Sequence, residues 1–110
     1  MTKRPLPPNP GGESLSLKIS QAAKAAYWGT VEDCLVSFHQ LTKQSAHGMT
    51  NAFRKKIESP PPGISGDVIY HDEPFYIACD IAGKYEIQDQ EILLKRHHPD
   101  YEVIKTARSW

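Results

Sequence analysis

Little in this 110-residue chain points outward. Basic and acidic side chains number thirteen each, so the formal net charge is zero, and no long-range field draws the protein toward phosphate backbones or anionic lipid. Nucleic acid is therefore an unfavoured partner, and weak self-repulsion leaves association with a second copy open. No stretch approaches the roughly 18 consecutive apolar residues of a membrane span, so no membrane role is expected. Cysteine is scarce, with two in all, each among apolar residues. Cys34 and Cys79 are expected to be buried and reduced, with a bridge between them as the alternative. The basic start Met1-Thr-Lys-Arg has no apolar stretch behind it, which leaves the cytoplasm as the expected compartment. Phosphate-binding loops, dinucleotide fingerprints and nucleophile elbows are all missing from the sequence.

What is present is helical pattern. Thr30 precedes Val31, Cys34, Leu35 and Phe38, and Thr42 precedes Ala46, Met49, Phe53 and Ile57. Each set falls on one helical face behind a capping residue. The second helix is expected over residues 43–57, with Arg54, Lys55 and Lys56 at its negative end. Pro60-Pro61-Pro62-Gly63 should stop it. An earlier helix is expected over residues 16–28, closed by Gly29, so that Thr30 opens a new one and caps the amide of Asp33. Ahead of these, residues 1–13 hold four prolines and two glycines, a composition expected to form a disordered arm.

Residues 67–83 read two ways. Val68-Ile-Tyr70 and residues 75–79 could pair as a hairpin, giving an α+β fold with a hairpin at 67–80. Pro74 as a first helical position and Gly83 as a closing residue favour a helix over 74–82 instead, with Phe75, Ala78, Cys79 and Ala82 on one face. A last helix is expected over residues 86–96, stopped by Pro99, with residues 101–110 as a tail. The fold expected is all-α, a bundle of four to five short helices in one domain over residues 14–110.

Candidate sites are sparse. Tyr70, His71, Asp72, Glu73, Phe75 and Tyr76 put aromatic and polar groups in one short stretch, the composition of a protein-contact surface. The competing structural reading makes the aromatics core and the polar residues a link that caps the next helix. Gln21, Ala25, Gly29, Leu35 and Phe38 lie at relative positions 1, 5, 9, 15 and 18, a spacing that resembles the DNA-binding helix-turn-helix motif. That resemblance implies a turn at Gly29 and a regulator using residues 21–40. Glu32 and Asp33 would then face phosphates, which ranks this reading second. The run Leu93-Leu-Lys-Arg-His-His-Pro-Asp100 resembles the end of the second helix of a J-domain, whose His-Pro-Asp tripeptide meets a chaperone partner. The order His39, His71-Asp72, Asp100 is similar to the ligand order of HD-domain phosphohydrolases, an all-helical family. It implies a metal-dependent phosphohydrolase as a third reading. Cys79, beside Asp80, is the one conceivable nucleophile, in a setting that would raise its pKa.

The expected function is accordingly non-enzymatic. The chain reads as a small protein that works by binding another protein or itself, with no cofactor and no metal site.

Overall fold

Ser20 opens the first helix. Its backbone is extended, and its hydroxyl accepts the Ala23 amide at 3.1 Å, which satisfies one of the orphan donors of a helix start. The computed structural model describes residues 20–58 and 66–110. The arm at residues 1–13, the start of the expected first helix and the Pro60–Gly63 stop lie outside the described residues.

From that cap α1 runs over Gln21–His39 without interruption, which corrects the expected break at Gly29 and the expected start of a second helix at Thr30. Buried Tyr27, Val31, Cys34, Leu35 and Phe38 form one stripe that passes straight across Gly29. A helical glycine costs about 1 kcal/mol relative to alanine, less than the burial of any one of those side chains is worth. Thr30, rather than capping, turns its hydroxyl back to the Ala26 carbonyl at 2.7 Å. Gln40 then ends the helix in the left-handed conformation, φ 62°. Thr42 caps α2, Lys43–Ile57, by accepting the Ser45 amide at 3.0 Å. These bounds are those expected from the sequence.

A short 3-10 turn, Gly66–His71, leads to α3, Pro74–Ile81. Proline occupies the first position of α3, where its missing N–H costs nothing, and Gly83 closes the segment at φ +87°. The helical reading of 74–82 therefore holds, and among the described residues no strand forms, so the hairpin at 67–80 is absent. The last helix, α4, covers Ile87–Arg108 and passes through Pro99. This corrects both the expected stop and the expected tail. Pro99 stands on the exposed side, where the carbonyl deprived of its ring N–H can meet water. The inward side keeps Gln90 and Tyr101 buried on either side of it.

The four described helices make the all-α bundle, and α1 is its axis, packed against α2, α3 and α4. Tyr27, Val31, Leu35, Phe75 and Tyr101 are buried at its centre. Toward one end, the rings of Trp28, Tyr70 and Trp110 stand edge-on to Tyr27, with centroids 5.0 to 5.2 Å away. The Trp28 indole N–H donates to the Tyr70 hydroxyl at 2.8 Å. Gly29 has a packing role after all. A Cβ there would lie 2.8 Å from Arg108 Nη1, and the Arg108 guanidinium is fixed by two hydrogen bonds to Asp33 at 2.7 and 3.0 Å.

Candidate interaction surface

The stretch 70–76 does not form one surface. Tyr70 and Phe75 are core, Tyr76 is half-buried, and His71, Asp72 and Glu73 are exposed. Of the two readings, the structural one describes this placement, with one correction. Glu73 stands at the N-cap of α3 but makes no side-chain capping bond. Its carboxylate instead accepts the Tyr101 hydroxyl at 2.7 Å and lies 3.7 Å from Lys105, tying the start of α3 to α4. Burial pushes the Tyr101 phenol well above its ordinary range, and the hydrogen bond to Glu73 adds to this. Tyr101 is therefore a fixed donor.

The remaining candidates are scattered. Gln21, Ala25, Gly29, Leu35 and Phe38 all sit on the single helix α1, where Leu35 and Phe38 are core and no turn separates a first helix from a second. The helix-turn-helix geometry does not form. His98, Pro99 and Asp100 are exposed in mid-helix, not in a loop beyond a helix end. His39 ends α1, His71 and Asp72 are exposed before α3, and Asp100 is on α4. Among the described residues no three His, Cys, Asp or Glu side chains gather where they could hold an ion.

Both thiols are free and buried. Burial, and then Asp33, push Cys34 far above the usual thiol range, while burial and Asp80 push Cys79 up to about 11. Neither supplies a thiolate near neutral pH. Half-buried His39 has both ring nitrogens shut from water with no hydrogen-bond partner among the described residues. Its burial, with Lys84 and His97 adding positive charge nearby, lowers its pKa. The negative end of α1 would favour the cation, and desolvation outweighs it. The thiols are thus held protonated, and the His39 imidazole is biased toward its neutral form.

What stands out instead is the outer side of α4 and the turn before it. Tyr85, Ile92 and Val103 are 74%, 56% and 68% exposed, and Ile87 is also exposed. Eleven residues of α-helix amount to just over three turns, so Ile92 and Val103 point within about 20° of each other and stand about 16 Å apart along the axis. Exposed Pro99 falls on the same line. Shallow grooves run along both sides of the Ile92 ridge. One, of about 460 Å³, is lined by Gly83, Lys84, Tyr85, Glu86, Asp89 and Leu93. The other, of about 600 Å³, has Tyr76, Gln88, Glu91, Leu94 and Lys95 along it.

No sequence-level reading identified this surface, because ending the helix at Pro99 severed Ile92 from Val103. The signal was there as two interleaved stripes, Leu94–Tyr101 facing in and Ile92–Pro99–Val103 facing out. No described helix is long and apolar enough to cross a membrane. Compared with known proteins, the chain matches no family model, no curated protein and no solved structure.

Proposed function

We propose that this chain is a small non-enzymatic helical protein that acts by binding another polypeptide through the outer side of α4 and the Tyr85 turn. The observation that carries the reading is the exposed line of large apolar side chains on a helix whose opposite side already supplies the core. Solvated aliphatic side chains set in one row on a rigid element form a ready contact surface. Buried, proton-bearing thiols offer no poised nucleophile to weigh against it. Two unbridged thiols suit a reducing compartment, and we place the protein in the cytoplasm on that ground.

Site-specific photocrosslinking in cells tests the reading. A photoreactive phenylalanine analogue at position 92 or 103 is expected to give a discrete protein adduct, and the same group at exposed Asn51 on α2 should not. Adduct yields at 92 and 103 no higher than at 51 would overturn the assignment.

A further inference from the structure

The outer side of α4 carries more than apolar residues. Lys95 and Glu102 flank one edge of the Ile92–Pro99–Val103 line, and Arg96 and Asp100 flank the other, as helical geometry at about 100° per residue requires. Lys95, Arg96 and Asp100 make no ion pair among the described residues. Glu102 is engaged within its own helix by Lys105 at 3.0 Å and His98 at 3.5 Å. Each edge thus bears a cation toward the N-terminal half and an anion toward the C-terminal half. This ordering is complementary to itself when one helix is reversed.

We propose that the occupant of this surface is a second copy of the chain, joined by antiparallel pairing of the two α4 helices about a two-fold axis near residues 97 and 98. This rests on the docking role just assigned to α4 and names its partner. Under that operation Ile92 faces Val103 of the second copy, Lys95 faces Glu102, and Arg96 faces Asp100. A two-fold keeps each edge on its own side, so every one of these pairings occurs twice. A parallel two-fold would exchange the edges and set Lys95 against Arg96 of the second copy and Glu102 against its Asp100. Like charges would then meet along both edges. Pro99 lies at the centre, where the facing helix bears on its ring. A single helix pair of this length buries roughly 1,000 Å², the lower limit for specific association, so the dimer is weak and reversible.

Sedimentation equilibrium on the full chain, from about 5 to 500 μM, tests the pairing. The expected result is a monomer–dimer equilibrium that Val103→Asp abolishes. Arg96→Asp and Asp100→Arg are each expected to weaken it roughly tenfold, by setting like charges across the axis twice. The double exchange should restore it. These side chains are exposed and unpaired in the monomer, so circular dichroism and thermal melting should show each variant folded. A chain that stays monomeric throughout, or a dimer indifferent to Val103→Asp and the charge exchanges, overturns the proposal. Heterologous adducts at positions 92 and 103 from a chain that is monomeric when pure would leave the docking role standing and remove only the second copy as occupant. Absence of adducts would remove both.

Discussion

His39 illustrates how one side chain can be held against its own chemistry. Its ring nitrogens are shut from water with no hydrogen-bond partner among the described residues, and its pKa lies below the ordinary imidazole value of 6.5. In the unfolded chain the imidazole takes up its proton first as pH falls. Its neutral form therefore supports the fold fully above about pH 6.5, and that support is lost progressively below it until the native imidazole itself protonates. Urea unfolding near pH 7.5 and near pH 5 should show lower stability in acid, and His39→Gln should flatten the difference. An unchanged slope in the variant would assign the acid sensitivity to other groups.

At the scale of the element, Gly29 and Pro99 are the two residues that sequence reasoning takes for breaks and the fold carries inside helices. Each is tolerated because the buried stripe resumes one turn later, as Val31 follows Tyr27 and Tyr101 follows Leu94 and His97. Gly29→Ala should gain about 0.5–1 kcal/mol of helix propensity and lose a comparable amount by displacing Arg108 from Asp33, an exposed pair worth about 0.2–1 kcal/mol. The net change is expected near zero in the native chain. In an Arg108→Ala background the same substitution should be plainly stabilising, a non-additivity that a double-mutant cycle in urea reads directly. Pro99→Ala restores a backbone donor to α4 and should raise stability by about 1–3 kcal/mol. A neutral result would show that the helix has already relaxed around the ring.

Such positions mark where the sequence is legible and where it is not. The Thr42 cap, Pro74 at the first position of α3 and the positive-φ glycine at 83 are local signals, satisfied within a few residues. The face expected on α2 holds only in part: Ala46 is buried, Phe53 and Ile57 are half-buried, Met49 is exposed and Thr50 is buried instead. The continuity of α1 and α4 is decided by distant partners. The Arg108 side chain occupies the space beside Gly29, and Tyr101 reaches across to Glu73 and the Phe75 amide. The candidate surface shared that fate, since an exposed row on α4 exists only once α4 is known to be whole.

For the molecule entire, α1 is the shared wall against which the other helices shelter, so damage to it should be felt everywhere. Leu35→Ala, at a fully buried position on that helix, is expected to cost about 2–5 kcal/mol. A domain of this size commonly has about 5–15 kcal/mol in total, so the variant stands close to unfolding. Its loss should appear as one cooperative transition by circular dichroism and by amide exchange alike, because the described helices share one core. Separate transitions for α2 and for α3 with α4 would contradict this.

The chain's two tryptophans, far apart in sequence, both rest against the ring of Tyr27. Light absorbed by that phenol therefore has two indole acceptors within van der Waals range. The emission spectrum becomes a reporter of closure: replacing Trp110 leaves a signal from the α1 end alone, and replacing Trp28 isolates the moment at which the far terminus of α4 arrives.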